Sequence, residues 1–145
     1  MRRKLEVLFL CYGNACRSQM AEGWARHLKG DLIEPYSAGI LASGLSRRAV
    51  QAMAEAGVDI STQESKKVYD LLEGRFDYMV TLCSVAHEAC PSFGYGRMKI
   101  VHVPFDDPYT LSAWAKDEEE EIKIFRRVRD EIREFVERLP EGLEE

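Results

Sequence analysis

The stretch Leu5-Glu6-Val7-Leu8-Phe9-Leu10-Cys11-Tyr12-Gly13-Asn14-Ala15-Cys16-Arg17-Ser18-Gln19-Met20-Ala21-Glu22 decides the reading of the chain. Leu5 to Leu10 is a short, nearly continuous apolar run, the pattern of a strand covered on both faces and so of a parallel sheet. The segment opening at Gln19 is helical. Cys11 to Ser18 is therefore a strand-to-helix turn. At such a turn backbone amides lack intrahelical partners, and the helix dipole adds partial positive charge, so the loop is a site for an anion. Arg17 can fold back and offer a planar fork of donors to a tetrahedral oxyanion. A thiol at Cys11 would sit over that anion, in a field that favours the thiolate, the nucleophilic form. Gly13 permits close backbone approach, and Asn14 tolerates a left-handed conformation. The alternative is a buried structural cysteine followed by an unrelated arginine. The strand before, the helix after and the trailing Ser18 favour the functional reading.

The loop resembles the signature of the low-molecular-weight protein tyrosine phosphatase fold, and the extension Gln19-Met20-Ala21-Glu22 is similar to the arsenate reductases built on that fold. The resemblance implies that Tyr12, Gly13, Asn14, Ala15, Cys16 and Arg17 cradle the oxyanion and that Ser18 supports the loop.

Composition is consistent with this. The 145 residues suit one domain, 1–145, with 46% hydrophobic and 31% charged residues, and the formal charge of −5 argues against a nucleic-acid surface. Met1-Arg2-Arg3-Lys4 superficially imitates a secretory leader, but Glu6 interrupts an apolar run that is too short. A cytoplasmic monomer with no membrane association is expected. Four cysteines in such a chain are then a question of chemistry rather than a disulfide framework.

Outward from the loop, Met20, Trp24 and Leu28 share one helix face, stopped at Gly30. Trp24 reads as core. Ile33 to Ile40 is a second strand, placed at an edge by Pro35. It closes in Ser37-Ala38-Gly39, where the resemblance makes Ser37 a loop support and the alternative is a simple turn. Ser46 to Ala56 is a helix ended by Gly57. Ser61 and Glu64 have capping-box form and predict a helix to about Glu73. Lys66 lies near its start, against the dipole. Some of the reductases bind a monovalent cation through an asparagine and a glutamate, matched here by Asn14 and Glu22, together with an aspartate. Lys66 stands where the aspartate is expected, which suggests that its ammonium replaces the ion and that Glu22 and Lys66 support the loop. A solvated surface lysine is the alternative.

Asp77 to Leu82 is the third strand and delivers Cys83 at its carboxyl end, the edge where open parallel sheets place their sites. Cys83 and Cys90 are seven apart, two turns on one helix face, so they cannot be bridged until that helix unwinds. Pro91 and the loop 92–96 supply slack. Two structural cysteines, a zinc site using Cys83, His87 and Cys90, and a redox relay with Cys11 all remain open from spacing alone. Thr81-Leu82-Cys83-Ser84 and Cys90-Pro91 resemble the thioredoxin-coupled arsenate reductases, which implies the relay, no bound metal or cofactor, and thioredoxin as electron donor. Lys99 to Val103 is the fourth strand. Asp107, held extended before Pro108, matches the family's general acid, while Asp106 shapes the loop or helps reprotonate. A turn is the alternative for that stretch. Glu118 to Leu139 is an amphipathic scaffold helix, with Arg126, Arg127 and Arg129 read as a solvated face and the tail after Pro140 as frayed.

Strands alternate with helices throughout. The expectation is a single doubly wound α/β domain, a four-stranded parallel sheet with helices on both faces. By resemblance it reduces arsenate through Cys11, Arg17, Asp107, Cys83 and Cys90. The alternative is hydrolysis of phosphomonoesters through Cys11, Arg17 and Asp107, with Tyr109 resembling the aromatic residue of a phosphatase pocket.

Overall fold

A computed structural model describes residues 3–71, 76–89 and 98–143. Cys90 lies outside the described residues, as do residues 91–97. Strand β1 (Leu5–Cys11) leads into helix α1 (Arg17–Lys29), and β2 (Ile33–Gly39), α2 (Arg47–Glu55), β3 (Tyr78–Thr81), α3 (Ser84–Ala89), β4 (Lys99–His102), α4 (Pro108–Ser112) and α5 (Glu118–Glu137) come after it in order. The four strands form one parallel sheet in the order β2-β1-β3-β4, the expected class.

Val7 to Leu10 are fully buried because β1 is flanked by β2 and β3, which accounts for the unbroken apolar run. Pro35 lies on β2, an edge strand, opposite Val7, where a missing N–H disrupts no second ladder. The chain passes from β1 to one side for β2 and then to the other side for β3. The carboxyl end of β1 is thus the topological switch point, where open sheets leave a crevice. Cys11 stands there.

Helix α1 packs on β1, β2 and α5. Trp24 is core as expected, with its indole N–H donating to the Arg129 carbonyl at 3.1 Å. Three expectations need correction. The stretch from Ser61 is not helical: it runs as a turn and extended chain to a short 3₁₀ segment, Val68–Leu71. Its backbone groups are engaged elsewhere, since Ser61 N–H donates to Asp59 Oδ1, Lys66 N–H to Asn14 Oδ1, and the Lys66 carbonyl accepts from Gly39 N–H. The capping-box pattern opens no helix here because the Ser61 N–H is turned back onto Asp59 and the Lys66 N–H is taken by Asn14, far along the chain. Arg129 is not on a solvated face either. Its guanidinium donates to the Ala52 carbonyl at 2.8 Å and ties α5 to α2, while Arg126 and Arg127 pair with Glu55, Asp106 and Glu131. Beyond Pro140 the chain forms a short 3₁₀ helix, Glu141–Leu143, and the Leu143 side chain is buried in the core.

Candidate functional site

The loop from Cys11 to Arg17 is shaped by where its carbonyls go. The Cys11 carbonyl accepts from Ile40 N–H, that of Tyr12 from Leu41, that of Gly13 from Ser43 and that of Ala15 from Ser46, at 2.9–3.2 Å. With the carbonyls drawn outward to residues 40–46, the amides turn inward. Those of Gly13 to Cys16 donate to no acceptor among the described residues, leaving an arc of donors for an oxyanion. Asn14 takes the left-handed conformation anticipated for it, with φ 49°. Gly39 makes this turn possible, since a Cβ there would stand 2.5 Å from Asn14 N.

Cys11 is buried, and its Sγ lies 2.8 Å from Ser18 Oγ. Either atom could donate in isolation, but the surroundings decide. Lys66 N–H, a donor only, fixes Asn14 Oδ1 at 2.7 Å, so the other atom of that amide is Nδ2, which donates to Ser18 Oγ at 2.8 Å. Ser18 accepts from Asn14 and is left with its own proton to give to Cys11. That hydroxyl is the buried hydrogen-bond donor to the sulfur.

Arg17 is buried too, with Nη1 donating to the Phe105 carbonyl at 3.2 Å and Nη2 3.7 Å from Asp107 Oδ2. Asp107 caps α4: Oδ1 accepts from Tyr109 N–H at 3.0 Å and Oδ2 from Thr110 Oγ1 at 2.8 Å. The Asp-Pro signal thus marks a helix start, with Asp at the cap and Pro inside the first turn. It also brings a carboxyl beside Arg17. Asp106 points away, to Arg127.

Ser37 donates to Glu22 Oε1 at 2.5 Å, and Arg26 to Glu22 Oε2 at 2.8 Å. Lys66 contributes differently from expectation. Its ammonium donates to the Glu64 carbonyl at 2.8 Å, and its backbone N–H holds Asn14. Arg26 supplies the positive charge beside Glu22, so the carboxylate is already compensated and Asn14 Oδ1 already occupied. Exchanging sodium for potassium at constant ionic strength is therefore expected to move Tm by less than about 1 °C, because an ion without a vacant ligand set gives no binding contribution to stability. A potassium-specific rise of several degrees in a thermal scan would count against this.

Cys83 follows Leu82, whose N–H donates to the Leu10 carbonyl, so the two cysteines occupy the same sheet edge at the ends of adjacent strands. Cys83 is buried at the entry to α3, its Sγ accepting from Ala86 N–H at 3.5 Å. Among the described residues His87 pairs with other side chains. Its Nδ1 lies 3.1 Å from Thr81 Oγ1, and its ring stacks on His102 at 4.2 Å between centroids. Cys16 is buried beneath the loop, and burial pushes its thiol up to about 12, with the neighbouring Asp107 and Cys11 adding to the effect and Ser46 and Arg17 opposing it. Cys16 therefore stays a protonated thiol near neutral pH. Cys16→Ser is expected to keep activity within about threefold, and alkylation of native protein at pH 7 should leave Cys16 unlabelled on peptide mapping.

Gln19, Gln63 and Arg26 were not legible as site residues. Gln19 sits inside the motif but reads as one more helical position, and nothing in the sequence singles out Gln63. Its place becomes visible only when residues 63–66 are seen lying against the loop.

A family model for the low molecular weight phosphotyrosine protein phosphatase matches residues 6–145. The chain belongs to that family. Among curated members it is 46% identical over 132 residues to an arsenate reductase of Halalkalibacterium halodurans, covering 91% of each chain. It is 47% identical over 135 residues to an arsenate reductase of Bacillus subtilis, covering 90% of this chain and 94% of that one. Its fold also matches the solved structure of an arsenate reductase in a phosphate-binding state, with TM-score 0.76 and 30% identity over 93% of this chain and 95% of the other. Among the described residues of this phosphatase-family member, no helix is long and apolar enough to cross a membrane.

Proposed function

We propose that the protein reduces arsenate to arsenite with three thiols and passes the resulting disulfide to thioredoxin, acting as a cytoplasmic monomer. Cys11 thiolate, with Ser18 donating to it, attacks arsenate held by the loop amides and Arg17. Asp107 gives a proton to the departing oxygen, which leaves as water, and an arsenic–sulfur bond forms. Cys83 thiolate then attacks Cys11 Sγ. The arsenic–sulfur bond breaks with its electron pair going to arsenic, arsenite departs, and a Cys11–Cys83 disulfide remains. Cys90 attacks Cys83, releasing Cys11 as thiolate and leaving Cys83–Cys90 for a dithiol donor to reduce. No bound cofactor enters these steps.

The observation that carries this reading is the second buried thiol, Cys83, at the end of the strand beside the one that ends in Cys11. Ester hydrolysis has no use for it. The names of the curated relatives support the same reaction. Hydrolysis of phosphomonoesters is the second reading, favoured by Tyr109, an aromatic residue 72% exposed two residues after Asp107, whose backbone N–H donates to the Asp107 carboxylate. The deciding experiment measures arsenate-dependent NADPH consumption with thioredoxin and thioredoxin reductase, beside hydrolysis of an aryl phosphate. Steady arsenate turnover supports reduction. Aryl-phosphate turnover with no NADPH consumption assigns the protein to the second reading.

A further inference from the structure

Helix α3 has six residues, too few to persist alone in water, and Ala86 is the one among them that is buried. Its place therefore depends on what its side chains reach. His87 reaches back to the sheet: its Nδ1 lies 3.1 Å from Thr81 Oγ1 on β3, and its ring stacks on that of His102 on β4, with 4.2 Å between centroids and 27° between planes. His102 Nδ1 stands 2.8 Å from the same hydroxyl. One buried hydroxyl thus serves two imidazoles, one from the helix and one from the sheet. Cys83 immediately precedes the helix, and its carbonyl accepts from His87 N–H at 3.1 Å.

Thr81 has a single proton to give. If both rings presented a bare Nδ1, one would be left without a donor, so at least one ring carries a proton there and gives it to the hydroxyl, which gives its own to the other ring. Charging the second ring breaks this arrangement. Both Nδ1 atoms are then donors, the hydroxyl proton is turned toward the Val101 carbonyl at 3.5 Å, the far end of hydrogen-bond range, and two positive rings face each other at 4.2 Å. The other titratable or charged groups on these elements are Cys83 and Glu88 at and within α3, Tyr78 on β3 and Lys99 on β4. Among the described residues no carboxylate forms an ion pair with either ring to offset the second charge.

We propose that His102 is a positioning residue that holds α3 to the sheet through Thr81 and His87, and that it releases the helix when both rings are charged. This rests on the reading of Cys83 as a relay thiol, because Cys83 leads into α3 and a bond from it to Cys90 requires that helix to open. Opening parts the rings and lets both take a proton, so the open helix binds more protons than the closed one and gains weight as pH falls. The helix is held firmly at about pH 8 and loosely at about pH 5, across the range in which imidazole takes its charge. Acidity thus eases the movement that the last thiol exchange needs.

The test is amide hydrogen exchange, read by mass spectrometry on the reduced full-length protein across this pH range. Rates for the α3 segment are divided by those of an unstructured peptide at the same pH and compared with α1 as an internal reference. In the wild type, α3 protection relative to α1 is expected to fall about fivefold from about pH 8 to about pH 5, the effect of two like charges about 4 Å apart near water. His102→Phe keeps a ring against His87 but takes no proton, so its α3 protection should stay within about threefold of the wild type at the alkaline end and show no acid loss. His87→Phe, which makes the same change from the helix side, should flatten the profile equally. A flat wild-type profile would overturn the proposal. So would an acid loss of wild-type size in His102→Phe, which would assign the effect to Glu88 or Cys83. If His102→Phe fails to fold, an undiminished acid loss in His87→Phe overturns it alone. Exchange needs neither arsenate nor an electron donor, so these outcomes stand even if the wild type proves not to reduce arsenate.

Discussion

Cys83→Ser is expected to abolish arsenate-dependent NADPH consumption, down to the level of a Cys11→Ser control, while most of whatever aryl-phosphatase activity the wild type has is retained. The two reactions share the first attack and differ in the second step. Hydrolysis of a phospho-enzyme from Cys11 needs water and a proton-transfer group, whereas reduction of arsenic needs two electrons from a second thiol. A serine hydroxyl at position 83 matches the shape of the thiol but cannot displace arsenite by forming a disulfide. Cys90→Ser should instead allow at most one turnover and leave a Cys11–Cys83 bond visible by mass spectrometry after digestion. Continued thioredoxin-linked turnover by Cys83→Ser would show that the relay is wrong.

Arg17→Lys should affect both reactions together. The guanidinium is held from behind by the Phe105 carbonyl and lies near Asp107, so its remaining donors are aimed before any ligand arrives. Lysine keeps the charge but is a flexible point donor that cannot span a carbonyl and two oxyanion oxygens at once. Loss of a preorganised oxyanion donor costs about 10²–10³ in kcat, roughly 2.7–4 kcal/mol of transition-state stabilisation. Parallel losses of that size in arsenate and aryl-phosphate assays, with Tm little changed, are the expected result. A loss confined to one substrate would mean that Arg17 does not serve a common oxyanion step.

The strand-loop-helix unit was legible because its determinants are local. An apolar run, a thiol, an arginine and the start of a helix lie within 18 consecutive residues, Leu5 to Glu22. Asp107 was legible as a residue, because proline restricts what precedes it, though not as the cap of α4. Residues 61–66 were misread for the opposite reason. The amide of Lys66 is drawn to Asn14, 52 positions away, a partner no local pattern reveals. The part expected of the Lys66 ammonium falls instead to Arg26, whose reach to Glu22 is an ordinary i,i+4 pair on α1. Arg129 was misread because three neighbouring arginines look solvated until the α2 carbonyl that one of them binds is known. Cys90 and the segment after it lie outside the described residues.

The carbonyl anchors of the loop bear on how the protein is made. Cys11 leaves the ribosome before the amides of residues 40–46 and 66 that hold its loop, and the Phe105 carbonyl that holds Arg17 emerges later still. Until those segments dock, the cysteine has neither an inward-facing ring of amides nor a directed hydroxyl, and behaves as an ordinary thiol. Reactivity is thereby postponed until the domain has closed around it. An incomplete or misfolded copy would carry the nucleophile's sulfur without its potency, and so would be spared indiscriminate reaction with cellular oxidants and electrophiles during synthesis.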